Sequence, residues 1–292
     1  MHERPRTVVL LILATGLGGG TLHAATPEFQ AAVLLDTPIL YYQLNEDSGA
    51  ALNLGSLGSA FDATYFGSPL RQAPATGGES GVSFDGSDDF LESGATAPAG
   101  LTGNPTFTAE AVVLVPPSGT VGLWAPFLHW GPSPPGSATA KSVYFSFSND
   151  APTEAYVGFY NGGLQSPTGS MAKDWWHHLV WVRVGGGNDQ VGSTLYLDGV
   201  DISSSLVPDP QLCCNGSTPI VESTEFRINR ARDFDGSRFF VGTLDEVVLY
   251  DRALTPAEVA THWEALGFLF RDNFESADFC RWSTPPPGAC PP

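Results

Sequence analysis

Charge is scarce in this chain of 292 residues, and positive charge is scarcest. Lys and Arg number 13 against 31 Asp and Glu, and charged residues make up only 15% of the sequence. The formal charge of -18 argues against phosphate backbones and anionic membrane surfaces as partners, because both repel an acidic protein. So few charges also argue against long amphipathic helices, which need a charged face. Long apolar runs are missing as well. The longest, at residues 8–17, falls short of the roughly 20 residues that span a bilayer as a helix. Neither G-x-S-x-G nor H-E-x-x-H occurs, so the sequence carries no nucleophile elbow and no zincin helix. No segment has the ligand spacing of an EF-hand loop.

What is present is turn chemistry and apolar strand material. The chain holds 33 Gly and 24 Pro, and 42% of its residues are hydrophobic. Many short strands joined by tight turns produce that balance. Arg4 and Arg6 precede the apolar run, and a small-residue stretch at 22–25 follows it, the pattern of an export signal over residues 1–24. Without that segment 11 basic and 30 acidic residues remain. The expected product is an acidic exported protein of about 265 residues, secreted, periplasmic or held at the cell surface, within the range of one all-β domain.

Alternating or β-branched runs predict strands over 39–44, 82–84, 90–91, 107–115, 125–130, 143–147, 155–160, 177–184, 195–197, 200–202, 226–228 and 247–250. Asp198-Gly199 is the strongest two-residue hairpin signal. One helix is expected, over 256–266. Thr255 and Glu258 form a capping box, Pro256 occupies the first helical position, Leu254 and Val259 form a hydrophobic staple, and Gly267 ends the helix. This order of elements predicts an antiparallel two-sheet sandwich with one late helix. The domain runs from 28 to 267. A tail over 268–292 follows, rich in aromatic residues and then in Pro.

Cys213, Cys214, Cys280 and Cys290 fit an oxidising compartment and allow three connectivities. The favoured pair is Cys280 with Cys290, which leaves Cys213 and Cys214 as a vicinal bridge or as free thiols. Cross-pairing of the tail with the 213–214 loop stays open. No His lies at ligand spacing beside either pair, which argues against zinc. His177 and His178 are adjacent on a strand, so they point to opposite faces and cannot share one metal. Asn215-Gly216-Ser217 matches a glycosylation acceptor but reads first as a turn.

Six stretches carry a resemblance, in order along the chain. They are YYQLNEDSG at Tyr41, GVSFDGSDDFLE at Gly81, FTAEAVVLV at Phe107, WHHLVWVRV at Trp176, STLYLDGV at Ser193 and FDGSRFFVGTLDEVVLYDRALT at Phe234. Together they resemble bacterial laminin-G-like domains of the concanavalin A-like lectin/glucanase superfamily over residues 30–267. The resemblance implies an all-β jelly roll of two curved antiparallel sheets and a role in binding carbohydrate or protein. Asp245 and Glu246 then read as framework residues. The tail segment FRDNFESADFCRWS is similar to a short acidic-aromatic motif of exported bacterial proteins, to which no role is carried over.

Glucanases of this fold commonly place their carboxylates in E-x-D-x-x-E, and here no Glu has an Asp two residues on. Laminin-type calcium sites use an acidic residue in a mid-domain loop, yet residues 111–149 contain no Asp or Glu. The expectation is a binding module with no catalytic residue. Its ligand is a glycan or a surface or matrix protein, with no nucleic acid and no membrane insertion. A polysaccharide-active hydrolase or lyase, or a purely structural surface protein, is the alternative. Trp124, Trp130, Tyr160 and Asn161 are the expected ligand contacts, as aromatic faces and an amide near strand ends. No cofactor is required. Calcium is the one ion considered, at Asp233 and Asp235, with Asp85, Asp88 and Asp89 as a second acidic cluster.

Overall fold

The computed structural model describes residues 27–74, 80–117, 124–132, 139–148, 151–231 and 238–266. It contains sixteen strands and two α-helices among those residues. In chain order they are α1 (Pro27–Leu35), β1 (Leu40–Tyr42), β2 (Ala63–Phe66), β3 (Leu70–Pro74), β4 (Ser80–Asp85), β5 (Phe90–Thr96), β6 (Phe107–Val115), β7 (Pro126–Trp130) and β8 (Val143–Ser148). Then follow β9 (Ala151–Phe159), β10 (Gly162–Gln165), β11 (Trp175–Arg183), β12 (Ser193–Leu197), β13 (Val200–Asp201), β14 (Val207–Pro208), β15 (Glu225–Ile228), β16 (Val241–Tyr250) and α2 (Pro256–Ala265).

The strands form two antiparallel sheets. The first runs β13-β12-β11-β6-β16-β4-β3, with β1 also paired to β16; the second runs β14-β10-β9-β8-β7-β15-β5-β2. β16 serves two neighbours along one edge, pairing with β4 through residues 241–244 and with β1 through residues 247–249. A register shift lies between Asp245 and Val248 against β6, and Glu246 sits there at a φ of 53°, the extra residue of a bulge.

Strand alternation assigns the faces. From β6, Phe107, Ala109, Ala111, Val113 and Val115 enter the core between the sheets, where they meet Val143, Phe145 and Phe147 of β8 and Val157 and Phe159 of β9. The opposite face of β6 would be wet in a bare sandwich. Here Val112, with Val180, Val248 and Tyr250, packs under Phe29 and Val33 of α1 and Val259 of α2 in a second apolar layer. That cover explains why β6, β11 and β16 read as apolar on both faces. The helix α1 and the strands β2, β3, β10 and β14 did not emerge from the sequence pattern, because they are short or carry no clear period.

α2 forms as its cap residues dictate. The Glu258 amide donates to Thr255 Oγ1 at 3.3 Å and the Thr255 amide donates to Glu258 Oε2 at 2.6 Å, with Pro256 in the first turn. Leu254 and Val259 are buried in the same apolar layer. Gly267 lies outside the described residues. Replacing Thr255 by Ala removes the cap and is expected to cost about 1 kcal/mol; urea unfolding checks it, and an unchanged midpoint counts against the cap.

Beneath the helices runs a buried polar chain. Glu110 Oε1 accepts from His178 Nε2 at 2.6 Å, Glu110 Oε2 meets His262 Nδ1 at 3.0 Å, and His262 Nε2 meets Asp36 Oδ2 at 3.1 Å. It ties β6, β11, α2 and the end of α1 together. His177 points the other way, to Asp198 Oδ2 at 2.7 Å and the Ala172 carbonyl at 3.1 Å. The two imidazoles therefore lie on opposite faces of the strand, as their adjacency predicts, while the other Asp198 oxygen accepts from the His178 amide at 2.9 Å. No described helix is long and apolar enough to cross a membrane.

Candidate ligand-binding site

The second sheet turns a polar-aromatic face away from the core. In β8 the alternation that sends Val143, Phe145 and Phe147 inward leaves Tyr144 on the other side. In β9 it leaves Tyr156 there, opposite Ser146, while Tyr144 faces Gly158. Gly158 in turn pairs with Gly163 of β10. A Cβ on either glycine would lie 2.6 Å from the Tyr156 hydroxyl, so this pair makes the room in which the Tyr156 ring lies across the hairpin. The hydroxyl sits 2.9 Å and 2.8 Å from the carbonyl oxygens of Phe159 and Gly162. Burial pushes this phenol well above its ordinary pKa, and the charges of Asp209 and Asp189 add to the effect. Tyr156 is therefore a fixed donor at neutral pH.

At the end of this hairpin Asn161 takes a left-handed φ of 67°, which Asn tolerates better than most residues. Tyr160 stacks over Tyr144, with ring centroids 6.5 Å apart and planes at 29°, and His129 meets the same tyrosine edge-on at 4.7 Å. Trp124 closes the other side. Its backbone is also left-handed, at a φ of 45°, a costly conformation for a bulky residue that persists only where the surroundings impose it. The indole N–H donates to Asp209 Oδ2 at 3.0 Å. The Arg238 guanidinium lies 5.1 Å from the Trp124 ring and 5.6 Å from the Tyr144 ring, within cation–π range.

These groups surround one hollow, lined by Trp124, Tyr144, Tyr156, Tyr160, Asn161, Leu212 and Arg238 around Phe159. It is shallow and partly open to solvent, with enclosed room of only about 10 Å³, about that of one water molecule. It is therefore a surface depression and not one of the ~300–1,000 Å³ clefts that engulf a ligand; a ligand would lie against its rim, where Trp124 and Asn161 are among the more exposed groups.

Leu212 comes from the loop after β14, which is laced to the β9–β10 hairpin. The Cys214 amide donates to the Asn161 carbonyl at 3.1 Å. The Gly163 amide donates to Asn215 Oδ1 at 3.0 Å, Asn215 Nδ2 donates to the Asp209 carbonyl at 2.7 Å, and the Gly216 amide donates to Asp189 Oδ1 at 2.7 Å. Asn215 is thus occupied by its own loop, in keeping with its reading as a turn residue. The neighbouring Cys213 and Cys214 are joined by a disulfide, the vicinal bridge among the expected alternatives. Cys280 and Cys290 lie outside the described residues.

Three of the four expected contacts, Trp124, Tyr160 and Asn161, meet in this one hollow. Trp130 does not. Its side chain is fully buried between the sheets, donates to the Leu101 carbonyl at 3.0 Å and stacks edge-on with Phe107 at 5.1 Å. It ends a strand whose alternation turns it inward, so it is a core residue. Tyr144, Tyr156, Leu212, Arg238 and Asp209 escaped the sequence reading. The alternation in VYFSFS already sets Tyr144 apart from its phenylalanine neighbours, whereas Leu212, Arg238 and Asp209 arrive from loops that carry no period.

Asp233 and Asp235, the expected calcium ligands, lie outside the described residues. The carboxylates of Asp85, Asp88 and Asp89 approach within 4.8 Å of one another, and those of Asp85 and Asp89 accept from the loops around them. The Ser68 amide donates to Asp89 Oδ1 at 2.6 Å, the Asp85 amide to Asp89 Oδ2 at 3.2 Å and the Ser87 amide to Asp85 Oδ1 at 2.8 Å.

Two antiparallel sheets closed on one apolar core define an all-β sandwich. Residues 85–260 match the laminin-G family described as the concanavalin A-like lectin/glucanases superfamily, and the chain belongs to that family. Among solved structures, Trypanosoma rangeli sialidase in complex with sialic acid is 19% identical, with a TM-score of 0.53; the match covers 81% of this chain and 34% of the sialidase chain. The binding domain of Paraclostridial Mosquitocidal Protein 1 is 12% identical, with a TM-score of 0.51 and coverage of 79% of this chain and 52% of that one. The chain thus spans about a third of the sialidase and half of the toxin chain, and likeness at these identities shows the fold alone. No curated protein sequence gives a significant match.

Proposed function

We propose that this chain is an exported, non-catalytic module that binds a glycan by stacking one sugar ring on the wall formed by Trp124 and Tyr160. The observation that carries the reading is the convergence of Trp124, the Tyr160-Asn161 pair and Arg238 from three separate segments into one hollow partly open to solvent. Sugar recognition needs an apolar face for the ring's C–H surface and polar groups at its edge for the hydroxyls. Trp124 and Tyr160 supply the first, Asn161 and Arg238 the second. The indole is held in place before a ligand arrives, by Asp209 on its N–H and Arg238 over its ring, which lowers the ordering cost of binding.

Asp209 acts here as a positioning group. One carboxylate oxygen accepts from Trp124 and the other from the Gln211 amide at 2.9 Å, so it is already engaged on both sides. A retaining glycosidase would instead present two carboxylates about 5 Å apart across the sugar. The sialidase relative was solved with sialic acid, which makes acidic and neutral oligosaccharides equally worth presenting.

The test is a glycan array probed with the mature protein, once with calcium and once with chelator. The expected result is binding to a defined oligosaccharide class that survives chelation, because stacking and hydrogen bonding need no ion. Binding abolished by chelator would transfer the site to a metal, and binding to no glycan at all would overturn the reading. Release of reducing ends from any polysaccharide in the same screen would contradict a non-catalytic role.

A further inference from the structure

We propose that the Cys213–Cys214 disulfide is a redox-sensitive clasp on the wall of this pocket, and that a dithiol reductant opens the wall by reducing it. The inference rests on the hollow being the ligand site. A disulfide between neighbouring residues closes a ring around a single peptide bond, and so confines the backbone of both cysteines. Leu212, the residue just before the ring, lines the pocket, and the Cys214 amide holds the carbonyl of Asn161, which lines it from the other side. The clasp therefore acts on two pocket residues through one covalent bond.

The loop is held to the hairpin by scattered single hydrogen bonds, without a continuous strand ladder. β14 pairs with β10 through only two residue pairs, Leu164↔Pro208 and Gln165↔Val207. Beyond them, isolated backbone bonds, from the Asp209 amide to the Gly163 carbonyl at 3.2 Å and from the Asp189 amide to the Ser217 carbonyl at 2.9 Å, and side-chain bonds of Asn215 and Asp189 stand in for a strand ladder. Asp189 is fully buried beneath the loop, and its Oδ2 meets no hydrogen-bond donor among the described residues. Burial raises its pKa, while the amides of Gly216 and Ser217 pull it back. Opening the loop would hydrate that oxygen, so the closed form carries a cost that the disulfide helps to offset. Segments held in this way are the first to open locally.

The exposed Cys213 gives a reductant access. One thiolate of a small dithiol attacks a sulfur of the bridge and forms a mixed disulfide. Its second thiol then displaces the protein sulfur, leaving two cysteine thiols and an oxidised cyclic dithiol, with two electrons and two protons passing to the protein. The global stabilisation by a disulfide rises slowly, as the logarithm of the loop length it closes, and this loop is the shortest there is. Reduction should therefore loosen the wall and leave the sandwich standing.

Hydrogen exchange of the full chain, with and without dithiothreitol, tests this without a ligand. Amides of 160–164 and 209–217 should exchange at least about tenfold faster after reduction, while β6, β11 and β16 stay protected. The double variant Cys280→Ser, Cys290→Ser should respond in the same way. The variant Cys213→Ser, Cys214→Ser should exchange fast without reductant. Unchanged exchange on reduction overturns the clasp, as does peptide mapping that joins Cys213 or Cys214 to Cys280 or Cys290. The strongest oligosaccharide from the array supplies the second arm. Its affinity should fall at least about tenfold on reduction of the native chain, and unchanged affinity despite faster exchange also overturns the clasp. Failure of the oxidised protein to bind any oligosaccharide refutes the glycan reading, and exchange still decides whether the disulfide holds the wall.

Discussion

Replacing Trp124 by Ala is expected to weaken oligosaccharide binding by about 30-fold, equivalent to ~2 kcal/mol, the loss typical of a central aromatic anchor. The indole offers the largest aromatic face in the hollow. It is also the best prepared face, because Asp209 and Arg238 fix it from two directions. Little side-chain freedom remains to be lost on binding, so removing the ring forfeits most of the stacking energy. The fold should tolerate the change, because Trp124 is only partly buried and lies outside the main core. Trp130→Ala provides the contrast. It empties the space between the sheets and should cost ~3–5 kcal/mol of stability. Calorimetric titration and urea unfolding of both variants separate the two roles. Full-strength binding by a folded Trp124→Ala protein would remove the aromatic wall as the site. Trp124→Phe should recover part of the affinity, since a smaller ring keeps a face but loses the indole N–H that anchors it to Asp209.

Replacing Glu110 by Leu is expected to destabilise the protein by ~3–5 kcal/mol, because it strands buried charge and donors that the carboxylate now satisfies. Glu110 is fully buried, and burial alone would raise its pKa. The charge of His262 and the hydrogen bonds from His178 and His262 outweigh that and hold the carboxyl at about 2. Burial likewise works against the charged form of His262, but Glu110 and then Asp36 raise its pKa to about 9.

The two groups set opposite edges of one stability plateau. Glu110 has a folded pKa below its ordinary value of 4.5, so its contribution is present above that pH and is lost as pH falls toward 2. His262 has a folded pKa above its ordinary value of 6.5, so its contribution is complete below that pH and is lost as pH rises through 9. Both arise from one interacting pair, so the two contributions are not additive. Urea unfolding at pH 6, 7.5 and 9 should show the wild type losing stability across this range. Glu110→Gln keeps the shape but not the charge, and should flatten that decline. An equally steep decline in Glu110→Gln would show that the pair does not set the alkaline edge.

Much of the sandwich was written in local pattern. β6 falls on residues 107–115 as expected, because its apolar run is long and ended by Pro116 and Pro117. α2 starts at Pro256 because Thr255, Pro256 and Glu258 act on backbone groups three residues away, and that chemistry needs no tertiary partner. The late strand was expected over 247–250 but extends to Val241–Tyr250. Gly242, Thr243, Asp245 and Glu246 break the apolar run while the backbone continues in the ladder. α1 was missed because its nine residues are nearly uniform around the helix and form only against α2 and the outer face of β6, β11 and β16. The pocket was half legible. Trp124, Tyr160 and Asn161 stood out by residue type near strand ends, and Trp130 stood out by the same rule and proved to be core. Residue type cannot tell a ring turned inward from one turned outward when a strand is apolar on both faces.

The sequence by itself determined what short-range forces decide: an acidic, turn-rich chain of antiparallel strands, a capped late helix, and two adjacent histidines that cannot share a ligand. Tertiary structure alone decided what depends on segments far apart in the chain. It set Asp209 against Trp124 and Arg238 above it, brought the Cys213–Cys214 loop to the wall beside Asn161, and buried Glu110 between His178 and His262. Hydrogen bonds and stacking act over a few ångströms, so a site assembled from residues dozens of positions apart leaves no period in the sequence and exists only once the sheets have closed.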